Sequence, residues 1–421
     1  MNVAQPQRPA AGRPLRVQFV THYFAPDGGA AANRLSRLAS ELARAGMEVR
    51  VLTTLPHYPE GRIRRGYRWR LWKRDEWRGI RVDRVWVSTV GGTRFAAKLL
   101  GHLSFMVTGF LRGLLLPRPD VMLVEAQPVF SGFGATMLAR LRRVPYVLNV
   151  SDLWPDHLAG VGVLRETSPA YRLLGAIAGS AYGPARTIVA MTPLLDERIR
   201  QRIADPDKVT TVINGVDLVR FSPGNGDRQF ARSMGIEGRR IVAFIGTFAT
   251  AYDFECMLGV IERCSRTIPE ALFLFIGTGS QMGAMGQRLA ACPNVRMVEW
   301  LPSESVPAAW QSADLAWWVL RDSQLARGTI PAKMFEAFAC GVPVVAGQRG
   351  VGAEMISRSG GGIVVEPGDV QATADAVESV VRSDARRRDL SAAARAWAES
   401  HFDCATGVRR YADYLRAAAG R

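Results

Sequence analysis

The sequence is poor in cysteine. Five occur in 421 residues, all in the second half (Cys256, Cys264, Cys292, Cys340, Cys404), and none forms a C-x-x-C pair. An odd, scattered set without paired spacing favours reduced, cytoplasmic thiols over a disulfide framework. Acidic residues are scarce against basic ones, 38 against 54, which leaves a formal net charge of +16 and points to an anionic partner. There is no tight His/Asp cluster and no D-x-D in a strand-end loop, so no metal site is expected. The absence of G-x-G-x-x-G weakens a nicotinamide-dehydrogenase reading. Long hydrophobic runs are missing too. The most apolar segment, "LLGHLSFMVTGFLRGLLL" at 99–116, contains His102 and Arg112 and stops at Pro117. It is marginal for a bilayer span, and a helix that is buried or dips into a membrane surface is expected instead. The opening "MNVAQPQRPAAGRP" has no apolar core of signal-peptide length, and 1–14 reads as a disordered lead.

What the chain does have is alternation. Short β-branched runs alternate with Ala- and Leu-rich helical stretches, at 16–20, 48–54, 80–87, 120–126, 146–151 and 187–192, and again at 240–246, 271–277, 295–300, 315–320, 342–347 and 362–367. Continuous apolar strands separated by helices predict parallel sheets covered on both faces. Two such sets in series predict an α/β protein of two doubly wound, Rossmann-like domains, at 15–205 and 206–395. A final helical piece, 396–421, is expected to pack back on the first domain. Ligands of such folds sit at the C-terminal ends of the strands, here the cleft between two facing sheets.

Glycines mark those strand ends. Gly28 and Gly29 precede an amphipathic helix, and "FIGTF" (244–248) and "FIGTGS" (275–280) follow strands in the second half. Each could be an ordinary strand-to-helix turn or could bring backbone amides close to an anion. The stretch "ARGTIPAKMFEAFACGVPVVAG" (326–347) reads as a helix with Pro331 at its first position and Gly341 just past its end. Lys333 in its first turn is unfavourable against the helix dipole unless an anion arrives. The alternative is a solvated i,i+3 pair with Glu336, contributing about 0.2–0.5 kcal/mol.

In order and wording these motifs resemble the retaining family 4 glycosyltransferases of GT-B fold, and most nearly the branch that builds O-antigen, capsule and exopolysaccharide chains. The residues that carry the likeness are "HYFAPDGGAAANRLSRLASELARAGMEVRVLTTLPHYPEGRI" (22–63), "VSDLWPDHLAGVGVL" (150–164), "VINGVDLVRFSP" (212–223), "FIGTF" (244–248) and "IPAKMFEAFACGVPVVA" (330–346). The resemblance implies a UDP- or GDP-sugar donor, no cofactor and no metal. It implies donor contacts from Gly28, Gly29, Gly246, Thr247, Gly277, Gly279 and Leu301, and from Thr329, Ile330, Pro331, Ala332 and Lys333, with Glu336 on the ribose. Asp152 in "SDLWPD" matches a position near the sugar, where it would bind the acceptor or assist its hydroxyl; a helix N-cap is the competing role. His57 in "LPHYPEG" is a candidate acceptor contact, or incidental.

Two departures stand out. The family's paired glutamates reduce to one, because Gly328 occupies the first position. The loop "GTFATAYDFE" also lacks the basic residues common after the second domain's first strand. Arg327 and Lys333 are the candidates to neutralise the leaving diphosphate. The segment 62–81 carries nine Arg/Lys, two acidic residues, three Trp and one Tyr. Such a mixture suits a headgroup layer or nucleic acid. With the family likeness it implies a protein lying on the inner membrane face through 62–81 and 99–116, taking a polyprenyl-diphosphate-linked glycan as acceptor, with no nucleic acid partner. The transferred sugar would be a hexose, with N-acetylated and deoxy sugars as the alternatives. A nucleotide-sugar 2-epimerase of the same fold, or an inactive scaffold that binds membrane or nucleic acid, are the competing functions. Domain closure on donor binding is expected of the fold.

Overall fold

The computed structural model describes residues 13–58, 60–90, 95–160, 163–213, 215–224, 229–299 and 301–421. The lead expected over 1–14 lies almost wholly outside them.

The first domain runs β1 (Arg16–Val20), α1 (Ala30–Arg44), β2 (Glu48–Thr54), β3 (Trp72–Trp77), β4 (Ile80–Val85) and α2 (Phe95–Leu114). It continues with β5 (Val121–Glu125), α3 (Val129–Leu141), β6 (Tyr146–Val150), α4 (Asp156–Gly160), α5 (Pro169–Tyr182), β7 (Thr187–Ala190), α6 (Pro193–Arg200) and β8 (Val209–Thr211). The second domain holds α7 (Gln229–Ser233), β9 (Arg240–Ile245), α8 (Phe254–Thr267), β10 (Ala271–Ile276), α9 (Met282–Ala290), β11 (Val295–Val298) and α10 (Val306–Gln311). After these come β12 (Leu315–Val319), α11 (Gln324–Arg327), α12 (Ala332–Ala339), β13 (Val344–Gly347), α13 (Val351–Ser359), β14 (Gly362–Val365), α14 (Val370–Arg382), α15 (Asp384–His401) and α16 (Cys404–Ala418).

The two sheets have the orders β3-β4-β2-β1-β5-β6-β7-β8 and β11-β10-β9-β12-β13-β14. Every pairing is parallel except β3 with β4. Both faces are covered, as alternate residues show. Val20, Met122, Val124 and Leu148 join one core of the first domain, while Phe19, Val121, Leu123 and Val147 join the other. In the second domain the fully buried Trp310, Trp317 and Trp318 fill a single large core.

Two strands depart from the alternation read in the sequence. β3 lies inside the basic, Trp-rich segment, and β8 extends the first sheet beyond the seam expected at 205/206. The closing helical stretch is divided. α15 packs on α12, α13 and α14, whereas α16 returns to the first domain against α1, β5 and β6.

The chain crosses between domains twice, around Gly215 and between α15 and α16, and the two crossings are bonded to each other. Val216 N–H donates to Phe402 O at 2.7 Å, and Cys404 N–H donates to Val216 O at 3.2 Å. A Cβ on Gly215 would fall 2.5 Å from Cys404 Cα, so only glycine permits this approach. Arg37 of α1 braces the crossing by donating to Gly215 O at 2.8 Å.

Candidate active site

The parallel strands end at a cleft of ≈ 510 Å3 between the domains. The first domain contributes the loop after β6 (Ser151, Asp152, Leu153), the end of β7 (Met191, Thr192), and parts of α4 and α6. Gln324, Gly328, Thr329, Ile330 and Phe335 close it from the second.

Its cations come from residues that sequence reasoning passed over, and they share the lining with the carboxylates Asp152, Asp156 and Glu166. Arg34 of α1 and Arg198 of α6 both line the cleft. Arg34 reaches Glu125 at 3.4 Å, and Arg198 reaches Asp156 at 3.8 Å. Asp156 is already held bidentately by Arg202 at 2.6 and 2.8 Å, so Arg198 remains the looser of its two cations. Glu125 is buried at the end of β5, where burial pushes its carboxyl above the ordinary range and Arg34, Ser151 and Asn149 oppose the rise. The Ser151 hydroxyl and Asn149 amide donate to that carboxylate, and Tyr411 of α16 donates to Asn149 Oδ1. A chain of buried polar contacts therefore runs from the last helix to a cleft cation. Its only traces in the sequence are an Asn and a Glu inside otherwise apolar strands.

The expected residues fall in different places. Asp152 lines the cleft, half-exposed, with its carboxylate 3.8 Å from His157 Nδ1. Among the described residues its carboxylate accepts no capping bond, and α4 begins at Asp156. Gly328, Thr329 and Ile330 line the cleft directly. Pro331 is the N-cap of α12, one position earlier than expected, and Gly341 adopts φ 68° beyond the helix end, as expected. Ala332, exposed, opens the helix. Glu336 is half-buried and accepts from Trp310 Nε1 at 3.1 Å; burial raises its carboxyl against that bond.

Lys333 is the unusual member. Its side chain is 6% exposed, and among the described residues its ammonium has no hydrogen-bond partner. It forms no ion pair with Glu336, so the solvated-pair account is corrected: the first turn of α12 points inward. Nζ lies 3.1 Å from the Phe244 ring centroid and 4.3 Å from that of Tyr252. The chain passes beneath the loop after β9, close enough that a Cβ on Gly246 would be 3.2 Å from Lys333 Cε. Cation–π contact returns about 2 kcal/mol when desolvated, less than the several kcal/mol that burying an ammonium costs. Burial accordingly holds this amine well below the ordinary lysine range, with Glu336 pulling the other way.

The strand-end glycines of the second domain pack on one another. Gly277 (φ 142°) lies against Gly246 (φ 145°): its added Cβ would be 1.9 Å from Gly246 O. Gly279 similarly abuts Phe248 O, at 2.4 Å. Thr247 stands exposed between them, and Leu301 is half-buried against the core. In the first domain Gly28 and Gly29 lead into α1, facing Tyr58; Gly28 N–H donates to Tyr58 O at 3.3 Å.

Of the expected contacts, Asp152, Thr329 and Ile330 are in the cleft lining; Gly28, Gly29, Gly246, Thr247, Gly277, Gly279, Leu301, Pro331, Ala332, Lys333 and Glu336 are not, and neither are Arg327 and His57. Arg327 is clamped by Asp322 through two bonds of 3.0 Å, because a short helix (α11) turns its guanidinium back on that carboxylate. His57 packs instead in an aromatic group with Tyr23 and His22, its ring beside Leu55 O at 3.0 Å. Among the described residues, no three His, Cys, Asp or Glu side chains are grouped to hold a metal ion, and no helix is long and apolar enough to cross a membrane.

Two family models match the chain, one for each domain: the glycosyl transferase 4-like domain over residues 29–215, and glycosyl transferases group 1 over 239–383. The probable glycosyltransferase WbjE of Pseudomonas aeruginosa is 24% identical over 273 residues, covering 63% of this chain and 67% of that protein. A GDP-mannose-dependent alpha-(1-6)-phosphatidylinositol monomannoside mannosyltransferase of Mycolicibacterium smegmatis is 25% identical over 305 residues, covering 66% of this chain and 80% of that one. Among solved structures, Anabaena HepE in complex with UDP and glucose superposes with a TM-score of 0.70 at 16% identity, covering 96% of this chain and 100% of that one. Both domain models in order, and two parallel-sheet domains facing one cleft, give one conclusion: the chain belongs to the family 4 glycosyltransferases of GT-B fold.

Proposed function

We propose that this glycosyltransferase moves a hexose, N-acetylhexosamine or deoxysugar from a UDP- or GDP-linked donor to a lipid-linked glycan, with retained anomeric configuration. The observation that carries the reading is the unpartnered Lys333 ammonium beneath the Gly246 loop, at the head of a helix whose Glu336 stands one turn in. A diphosphate laid over that loop supplies the missing counter-charge. Related proteins named for UDP and for GDP-mannose support a nucleotide-sugar donor and leave the base open.

In the reaction the bond from the anomeric carbon to the diphosphate oxygen breaks, and an acceptor oxygen takes its place. The acceptor proton passes to the departing phosphate, while Asp152 holds the acceptor hydroxyl. Lys333, Arg34 and Arg198 neutralise the leaving group, so the transfer needs no metal ion.

An acceptor carried on a membrane, here the inner cytoplasmic face, is supported by the surface of the first domain. The Trp72 ring of β3 stacks under the Arg112 guanidinium of α2 at 4.1 Å, which joins the basic segment to the apolar helix. Trp69 and Leu71 beside it are exposed. Basic residues near anionic lipid contribute about 1 kcal/mol each.

The test is a panel of nucleotide sugars, read by binding, slow hydrolysis and transfer to an undecaprenyl-diphosphate-linked sugar. Glu336→Ala and Lys333→Ala are expected to abolish donor binding or turnover. Failure of every nucleotide sugar to bind or be hydrolysed would overturn the proposal.

A further inference from the structure

A second cavity of ≈ 510 Å3 lies at the opposite end of the first sheet from the cleft. It opens where β6 and β7 begin, and the cleft lies where they end. Five residues of strand put roughly 16 Å between the two. Three successive helix-to-strand connections build it, and each brings a cation to the same edge: Arg143 ahead of β6, Arg186 immediately before β7, and Lys208 immediately before β8. Arg140 adds a fourth, against one carboxylate, Asp205.

Two of these cations are explained by the fold. Arg140 donates to Ser180 O and Lys208 to Gly183 O, both at the carbonyl end of α5, where positive charge is favourable. Arg143 and Arg186 are not explained that way. Both are exposed, and neither guanidinium has a hydrogen bond or ion pair among the described residues. Arg143 is held there by a left-handed backbone (φ 51°) and by Arg118, which donates to its carbonyl at 2.8 Å.

The cavity also borders an apolar band. Arg142, the neighbour of Arg143, donates to Gly113 O and Leu116 O at 2.8 Å each, which pins the end of α3 to the end of α2. Around that junction Leu111, Leu115 and Leu141 are 56%, 76% and 63% exposed. Leucines left in water beside unpaired guanidinium groups mark a surface that meets both acyl chain and phosphate.

We propose that this cavity is a second anion site, built for a phosphate ester through Arg143 and Arg186, and that the neighbouring leucines let a lipid headgroup present the ester. The lipid source rests on the membrane-surface reading above; the phosphate chemistry does not.

The full chain is tested by flotation with vesicles of phosphatidylcholine alone or mixed with phosphatidylglycerol, and by thermal shift with glycerol 3-phosphate. The variant Arg143→Glu/Arg186→Glu is compared with Arg358→Glu/Arg388→Glu, which makes the same charge change at exposed sites on the second domain. The expected result is that the cavity variant loses affinity for anionic vesicles by roughly fivefold per cation. The control loses far less, and UDP and GDP binding stay unchanged in both. Loss of the glycerol 3-phosphate shift with vesicle binding intact would keep the anion site and overturn its lipid source. A cavity variant indistinguishable from the control in both measurements would overturn the proposal. If Leu111→Ser/Leu115→Ser abolishes flotation while the cavity variant floats as the control does, membrane docking stands and the cavity is excluded from it.

Discussion

At the scale of single residues, Lys333 is a charge that the apo fold does not satisfy. Replacing a buried ionic group by a well-packed apolar one stabilises proteins by about 1–4 kcal/mol, so Lys333→Met is expected to melt higher than the wild type while losing transfer activity. Calorimetry beside a turnover assay checks both halves. The sign with pH follows from the depressed amine: between its folded value and the ordinary lysine value near 10.5, the unfolded chain binds more protons. Wild-type stability therefore rises with pH through that window, and the advantage of the methionine variant shrinks as pH climbs. Nucleotide binding moves the other way. A diphosphate beside Nζ raises the amine's affinity for a proton, so binding takes one up and weakens as pH increases across the same window. Titration calorimetry of UDP or GDP in two buffers of different ionisation enthalpy reads the uptake directly; no buffer dependence would remove Lys333 from the phosphate.

At the scale of elements, legibility followed burial. In the second domain β9, β10, β12 and β13 were readable because runs such as "ALFLFI" are buried on both sides, while the half-buried β11 and β14 were readable from their β-branched residues. β3, "WKRDEW", was not: it is an edge strand, paired antiparallel, with no fully buried position, so its alternation carries no hydrophobic signal. β8 has three residues and little pattern to detect. The donor helix was legible through Pro331 and Gly341, yet the direction of Lys333 was not, because the aromatic bed of Phe244 and Tyr252 is distant in sequence. Arg34 and Arg198 looked like the polar faces of ordinary amphipathic helices, and only the meeting of two domains makes them cleft residues. The strand-end glycines were legible as close approaches, but much of that approach is between loops. Gly277→Ala is accordingly expected to destabilise by about 2–4 kcal/mol, measured by denaturant unfolding, since its methyl would collide with Gly246 O and its backbone is left-handed.

At the scale of the whole molecule, the described residues join the domains through the bonded crossings at Val216 and Phe402–Cys404 with their Arg37 brace, and through α11 meeting α4 at the cleft, while Tyr411 ties the returning α16 to Asn149. Gly215→Ala would push the two crossings apart by forcing a methyl against Cys404. The expected outcome is one calorimetric transition in the wild type and two in the variant, with transfer impaired although no cleft residue has changed. A single unshifted transition would show that the crossings do not couple the domains. Because both strands of passage are bonded to each other, they make one doubled strap between the domains, and a change that parts them loosens both at once.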